Sequence, residues 1–124
     1  MQIIIILTLL VQGFSSRYDP GVFQTVIRNR QSWGQLPTNI KDTNYIALAD
    51  CNLVGTRVLV CYEDCWLALV ADCAGVGDGG LTWMRQHNIA GEVDYSTAMR
   101  TDCVGKKISV FTFKTMTQKK YQFQ

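Results

Sequence analysis

The sequence predicts a mainly β protein: a small six-stranded β-barrel with an N-terminal amphipathic helix and two short helices. From Asn44 onwards, short runs rich in Ile, Val, Leu and aromatic residues follow one another at intervals too short for long crossover helices. The chain has 124 residues, which is enough for one core. Closing a small sheet into a barrel removes its exposed edges, so a barrel is favoured over an open sheet.

The N-terminal segment has the pattern of an export signal. The first sixteen residues, MQIIIILTLLVQGFSS, carry no charge and contain an apolar run from Ile3 to Val11. This run matches the apolar region of a signal peptide better than a membrane span of about 20 residues. Gly13 and Ser15 are small residues that fit a cleavage site after Ser15. We therefore predict residues 1–15 as a candidate signal peptide, without a stable membrane span; a buried N-terminal strand is the alternative.

Residues 16–43 are predicted to contain the N-terminal helix and its connection to the barrel. Asp19 is a good N-cap, Pro20 fits the first helical position, and Gly34 marks the end. One apolar face, which we expect to pack on the core, is formed at helical spacing by Val22, Phe23, Val26, Ile27 and Trp33.

The barrel domain is assigned to residues 44–124. Its predicted strands are Tyr45 to Asp50, Arg57 to Tyr62, Trp66 to Asp72, Gly91 to Asp94 and Lys107 to Phe113. Two brief helical signals interrupt them, at Leu81 to His87 and at Ser96 to Arg100, where Ser96 is a possible cap.

The cysteine pattern predicts disulfides. Five cysteines in so short a chain, without a CxxC pair or a set of histidine partners, fit an oxidising compartment better than a zinc site. Cys61 and Cys65 flank a tight hairpin, and Cys51 and Cys73 end two similar stretches, so both pairs are predicted to bridge and Cys103 is left over. A secreted or periplasmic protein is expected. Reduced cysteines in a cytosolic protein are the alternative.

Two similar stretches, YIALADCNLVG and WLALVADCAGVG, both run from an aromatic residue through Ala-Leu to Ala-Asp-Cys. Two copies of one unit suit a barrel whose halves are related by pseudo-twofold symmetry. In each copy a carboxylate, Asp50 or Asp72, follows an apolar strand and is expected at a barrel end. Asp94 follows a third short strand. For all three residues, capping a turn or a helix is the structural alternative.

These segments resemble the double-psi β-barrel superfamily. The order IALAD, GTRV, VAD and VD is most similar to the three-aspartate (3D) domains of lytic transglycosylases and spore-related cell-wall proteins, and more loosely to rare lipoprotein A, barwin and expansins. The resemblance covers roughly residues 44–113. It implies a polysaccharide groove in which Asp72 matches the acid/base position, Asp94 lines the same groove and Asp50 matches the first aspartate. The chain departs from the family pattern after Asp72, where Cys73 replaces a polar residue.

Two functions are consistent with these patterns. The first is an exported barrel that binds cell-wall or other polysaccharide without cleaving it, with Asp50, Trp83 and Tyr95 as binding residues. The alternative is an enzyme that cleaves peptidoglycan, of lytic-transglycosylase or glycoside-hydrolase type, with Asp72 as acid/base and Asp94 beside it. We favour binding, because the polar surroundings of the enzyme pattern are not preserved after Asp72. Aromatic residues at such positions also occur in cores.

Other function classes have weak support. The formal net charge is +2 and the basic residues are scattered, so nucleic acid is not an expected partner. His87 is the single histidine, and the spacing of Asp72, Asp78 and Asp94 does not fit an EF-hand loop. We predict no metal and no cofactor. The sequence leaves the oligomeric state open.

Overall fold

The chain folds into six β-strands and three α-helices, seen in a computed structural model whose described residues are 2–74 and 79–118. The strands are β1 (Gln2–Arg17), β2 (Tyr45–Leu48), β3 (Arg57–Tyr62), β4 (Asp64–Cys73), β5 (Ile89–Val93) and β6 (Lys107–Gln118). The helices are α1 (Val22–Ser32), α2 (Gly80–Gln86) and α3 (Tyr95–Thr101), and one 3-10 turn covers Cys51–Leu53. The predicted mainly β class is confirmed. Among the described helices, none has the length and apolar character needed to cross a membrane.

The six strands close into a ring in the order β1-β5-β2-β4-β3-β6. Two neighbouring pairs are parallel, β1 with β5 and β2 with β4, and the other four pairs are antiparallel. Moving every strand three places along the chain exchanges β1 with β4, β2 with β5 and β3 with β6, and each pair then maps onto a pair of the same kind. The pairing therefore has a twofold pattern, with three strands in each half.

The two similar sequence stretches do not correspond to these two halves. They form β2 and β4, which lie side by side and parallel, with Ile46 opposite Val70 and Leu48 opposite Cys73. In the twofold pattern the counterpart of β2 is β5, and the counterpart of β4 is β1. The two stretches are similar because β2 and β4 are neighbouring parallel strands that are both largely buried, and buried strands require apolar side chains.

Apolar side chains fill the inside of the ring, and a smaller cluster lies outside it under α1. The inner cluster includes Ile46, Leu48, Val58, Val60, Ala68, Val70, Val93, Ile108 and Val110. In the outer cluster, Phe23 and Ile27 of α1 pack with Leu36 on Ala47 and Ala71 of the ring. These contacts hold α1 against β2 and β4.

The ends of the helices differ from those predicted. α1 starts after Gly21, whose φ of +82° is left-handed, so Asp19 is not its N-cap. Trp33 follows the helix and is 65% exposed, so it does not belong to the packed apolar face. The N-cap of α3 is Asp94, not Ser96, because the Asp94 carboxylate accepts a hydrogen bond from the backbone N–H of Thr97 in the first turn.

Both predicted disulfides are present. Cys51 pairs with Cys73 at a Cα–Cα distance of 4.9 Å, and Cys61 pairs with Cys65 across the β3–β4 hairpin at 4.1 Å. Cys103 is free and buried. By loop closure alone, the first bridge stabilises the fold by about 3 kcal/mol. Two disulfides are typical of proteins in an oxidising extracellular environment.

The sixth strand of the ring is β1, which lies in the segment predicted as a signal peptide. β1 pairs with β6 from Gln2 onwards, but with β5 only from Phe14 to Arg17. Residues 2–10 are exposed and extend beyond the ring, whereas Gly13 and Ser15 are buried. The buried-strand alternative therefore describes only the second part of this segment. Removal of residues 1–15, and the division at 16–43 and 44–124, stay predictions.

Two N-terminal deletions test how much of β1 the ring needs. Removing residues 1–10 should cost less than removing residues 1–15, because residues 2–10 are exposed and their strand partner is β6 alone. Removing residues 1–15 also breaks the backbone hydrogen bonds from Phe14 N to Asn88 O, from Ser15 N to Lys106 O and from Gly105 N to Ser15 O. These three bonds alone should cost about 3 kcal/mol, at about 1 kcal/mol each, in addition to the loss of the pairing between residues 11–14 and β6. Urea unfolding followed by circular dichroism measures the difference; equal stability would show that the ring does not need residues 11–15.

Candidate functional site

The side chain of Asp72 is held by two hydrogen-bond donors from outside its own strand. The Tyr18 hydroxyl donates to Oδ2 at 2.6 Å, and Arg30 Nη2 donates to Oδ1 at 2.6 Å. Arg30 Nη1 donates in turn to Gln35 Oε1 at 2.7 Å. The Arg30 and Asp72 side chains are only 16% and 18% exposed, so water screens this ion pair less than a surface pair. The carboxylate thus has a fixed position and two occupied oxygens.

An irregularity in the sheet accompanies this position. Ile46 is opposite Val70, but the next residue, Ala47, is opposite Asp72, so β4 contains one extra residue. The extra residue, Ala71, is fully buried in the cluster beneath α1. β-Bulges re-aim the side chains that follow them. The bulge therefore brings Asp72 to the outer surface of the ring, beside α1.

A second carboxyl group, Glu92, lies in the same row of the sheet. Ala47 is opposite both Asp72 on β4 and Glu92 on β5, and Ser16 of β1 is opposite Glu92 on its other side. Burial raises the pKa of Glu92, and the charge of Asp72 raises it further, while a hydrogen bond from Ser16 Oγ at 3.4 Å opposes the shift. Glu92 therefore holds its proton more firmly than an ordinary glutamate.

Tyr18 donates a hydrogen bond to Asp72, and the charge of Glu92 also acts on its hydroxyl. Its ring stacks on Phe23 with centroids 4.1 Å apart, and its hydroxyl binds Asp72. Burial raises its pKa, and so do the hydrogen bond to Asp72 and the charges of Asp72 and Glu92. The phenol consequently stays protonated and acts as a donor to Asp72 at physiological pH.

We use the name α1 groove for the surface formed by Asn29, Arg30, Trp33, Asp72 and Cys73. These residues line a cavity of about 380 Å³. A second cavity, of about 520 Å³, also contacts Arg30 and Cys73, and both cavities border the Cys51–Cys73 disulfide. The groove offers an exposed indole ring, donors on Asn29 and Arg30, and an acceptor on Asp72. It is suited to a polar ligand with a flat apolar face.

Asp94 is the N-cap of α3. It is 6% exposed and accepts hydrogen bonds from Tyr45 N at 2.8 Å, Ser96 Oγ at 2.5 Å and Thr97 N at 3.1 Å. The Thr97 hydroxyl also donates to it. Asp94 lines a separate cavity of about 140 Å³ that does not include Asp72. The geometry around Asp94 matches the capping alternative.

Asp50 also has a local backbone partner. Its Oδ1 accepts from Asn52 N at 2.9 Å and caps the 3-10 turn that follows β2. It lines a mostly apolar cavity of about 200 Å³ with Leu48 and Leu53. Each of the three aspartates therefore faces a different cavity, and the structure does not bring them together in one groove.

The aromatic residues predicted to bind polysaccharide lie away from the α1 groove. Trp83 of α2 is 40% exposed and packs on the ring of His87, with centroids 5.0 Å apart. Tyr95 begins α3, and the Arg17 guanidinium lies 5.1 Å from its ring centroid. Neither side chain lines the α1 groove. They form two further exposed aromatic positions on other elements.

Sequence reasoning missed four residues of this region: Tyr18, Arg30, Trp33 and Glu92. Arg30 carried a usable signal, because it follows Phe23 and Ile27 at helical spacing and so continues the buried face of α1 with a charge. A cation on such a face requires a buried partner. Glu92 is the single charged residue of β5, whose sequence is IAGEV, and a charge in an otherwise apolar strand likewise indicates a specific partner.

Among the described residues, no group of three His, Cys, Asp or Glu side chains could hold a metal ion. Asp78, considered with Asp72 and Asp94 as a calcium ligand, lies outside the described residues. Comparisons with protein-family models, curated proteins and solved structures found no match to this chain.

The raised pKa of Glu92 links the stability of the fold to pH. The folded state binds this proton more tightly than the unfolded chain. The stabilisation that protonated Glu92 gives to the fold is therefore fully present below its ordinary pKa of 4.5. It is lost as the pH rises through the pKa of Glu92 in the folded state. Replacing Glu92 by Gln removes the ionisable group, so the variant should gain stability relative to the wild type between about pH 4 and pH 7.

Thermal unfolding of the wild type and of Glu92→Gln across this pH range measures the effect as a difference in melting temperature. Glu63→Gln, at an exposed position in the β3–β4 hairpin, controls for the general change in net charge. A melting-temperature difference for Glu92→Gln that does not change with pH would contradict the raised pKa.

Proposed function

We propose that the protein is an exported module that binds cell-wall or other polysaccharide in the α1 groove and does not cleave it. The observation that carries this proposal is Trp33, a residue that is 65% exposed and lines a cavity together with Asn29, Arg30 and Asp72. Exposed tryptophan rings offer a flat apolar surface on which the apolar face of a sugar ring can pack. The polar side chains beside it match the hydroxyl groups around that ring.

The hydrogen bonds within the groove favour tight recognition. Arg30 is fixed by Asp72 and Gln35, and Asp72 is fixed by Tyr18, so these side chains lose little conformational freedom when a ligand binds. The Cys51–Cys73 disulfide also limits movement at the border of the groove. A rigid set of donors and acceptors distinguishes among ligands by hydroxyl geometry.

The choice of polysaccharide as ligand class rests on the resemblance to double-psi barrels of cell-wall-active proteins. We also propose that the ring of six strands is a double-psi β-barrel. This assignment is supported by the closed ring of six strands and by the twofold pattern of its pairing. The uncharged apolar N-terminus and the two disulfides support export to a periplasmic or extracellular location.

Replacing Trp33 by Ala tests the α1 groove directly. The variant should lose at least about tenfold in affinity for peptidoglycan sacculi or for an insoluble glycan such as chitin, because the stacking surface is removed. Depletion of the protein from solution by increasing amounts of polymer measures the affinity. The fold should persist, since the side chain is exposed.

Trp83→Ala is the matched control, because Trp83 is a second exposed tryptophan that lies in α2 and outside the groove. It should bind the polymers as the wild type does. If Trp83→Ala or Tyr95→Ala weakens binding and Trp33→Ala does not, the binding surface is the one predicted from the sequence. If no variant and no wild-type protein binds any polymer, the proposed function is wrong.

The alternative function is peptidoglycan cleavage with Asp72 as acid/base. One observation favours it: Glu92 has a raised pKa in the same row as Asp72, and glycosidases pair one protonated carboxyl with one ionised carboxyl. Against it, both oxygens of Asp72 already accept hydrogen bonds, one of them from a guanidinium. A general acid must have a proton to deliver to the glycosidic oxygen, so we favour binding.

An assay for soluble muropeptides released from sacculi separates the two functions. The wild type should release none, and Asp72→Asn should cost about 1–3 kcal/mol in the free energy of unfolding, because the charged hydrogen bond to Arg30 is lost. Wild-type turnover that disappears in a folded Asp72→Asn variant would contradict the binding proposal and establish the enzyme.

A further inference from the structure

A cavity separate from the α1 groove and its neighbour, with the properties of a ligand site, lies at the tip of the β3–β4 hairpin. Its volume is about 490 Å³, which is within the usual range for small-molecule sites. It is bordered on one side by the hairpin and on the other by the end of α3. We call it the hairpin cavity and define it by Tyr62, Glu63, Asp64, Trp66 and Arg100. None of these residues lines the α1 groove.

The two sides of the hairpin cavity are held in place. The Cys61–Cys65 disulfide closes the hairpin, and Glu63 occupies its turn with a left-handed φ of +62°. On the other side, Asn44 Oδ1 accepts hydrogen bonds from Arg100 Nη2 and from Thr97 Oγ1, and Asn44 Nδ2 donates to Leu67 O at 3.2 Å. The cavity is therefore formed before any ligand binds, which lowers the entropy cost of binding.

Charges of opposite sign lie on the two sides. Glu63 and Asp64 belong to the hairpin, and Arg100 belongs to α3. In the part of the chain that the structure describes, Arg100 forms an ion pair with neither carboxylate. The Glu63 carboxylate interacts with the hydroxyl of its neighbour Tyr62, and Asp64 Oδ1 accepts a local hydrogen bond from Cys65 N at 2.8 Å, so both carboxylates have neutral local partners. The positive and negative groups thus remain available to bind opposite charges on a ligand.

Two aromatic rings line the same cavity. Tyr62 and Trp66 are partly buried and pack against the inner core of the ring of strands. Their positions are fixed by that core, so they present a rigid apolar surface. Rings of this kind bind apolar groups, and their faces also attract cations.

We propose that the hairpin cavity binds a small zwitterion, an amino acid or the two ends of a short peptide. The ligand ammonium group lies by Glu63 and Asp64, its carboxylate lies by Arg100, and its body packs on Tyr62 and Trp66. A simple anion would meet two carboxylates, and a simple cation would meet the guanidinium. A neutral ligand would leave the charges on both sides without partners. The site is distinct from the α1 groove and does not depend on the proposed function.

The dipeptide alanyl-phenylalanine, which carries both end charges, is a suitable probe. Its N-acetyl and C-amide forms each remove one charge. Titration calorimetry or NMR shift titration should show saturable binding of the zwitterion, weakened at least about tenfold by blocking either end. In ¹H–¹⁵N spectra, the shift changes should cluster at residues 62–66 and 100–101.

Arg100→Gln and Asp64→Asn test which protein charge binds each end of the dipeptide, and Arg100→Lys is the control. Arg100→Gln keeps a donor for Asn44 and should abolish the preference for the free acid over the amide. Asp64→Asn keeps an acceptor for Cys65 N and should reduce the preference for the free amine. Arg100→Lys keeps the charge and should retain the preference for the free acid, which separates lost charge from disturbed folding.

Absence of saturable dipeptide binding, equal affinity for the blocked forms, or an unchanged preference for the free acid in Arg100→Gln would each overturn the proposal. Trp33→Ala should bind the dipeptide normally, and Arg100→Gln should bind polysaccharide normally. The two proposed sites can therefore fail separately.

Discussion

The ion pair between Arg30 and Asp72 joins helix α1 to the ring of strands, and the candidate site depends on it. One partner comes from the last turn of α1 and the other from the end of β4, and Tyr18 reaches the same carboxylate from the segment between β1 and α1. Beneath this polar network, Phe23 and Ile27 pack on the outer face of the ring. The position of Trp33, directly after α1, is fixed as a result.

Such a network is a poor explanation for stability alone. Placing two charges where each side chain is less than one-fifth exposed costs desolvation energy, and their attraction offsets that cost only with good hydrogen-bond geometry. Here both carboxylate oxygens are paired, and two nitrogens of the guanidinium are as well. Arg30 Nε is buried and has no partner among the described residues. The arrangement fixes a particular geometry at a cost in stability, which is more typical of a binding site than of a core.

The sequence predicted the strands from β2 onwards because their apolar residues recur over runs too short for helices. The prediction for Arg57 to Tyr62 matches β3 at both ends. The hairpin disulfide followed from spacing alone. The N-terminal strand β1 was considered only as the alternative to a signal peptide, because an uncharged apolar N-terminus is typical of both. Trp33 was assigned to the core because its spacing extends the apolar face of α1. The helix ends at Ser32, however, and the Trp33 side chain is exposed.

The separation of the aspartates follows from strand direction, which sequence order does not reveal. β2 and β4 are parallel, so Asp50 and Asp72 lie towards the same end of the ring. β5 runs antiparallel to β2, and Asp94 therefore emerges at the opposite end, where it binds Tyr45 N at the start of β2. The carboxyl group in register with Asp72 is Glu92, through Ala47. Among the described residues, Glu92 is therefore the carboxyl group placed to act with Asp72, and Asp94 serves α3.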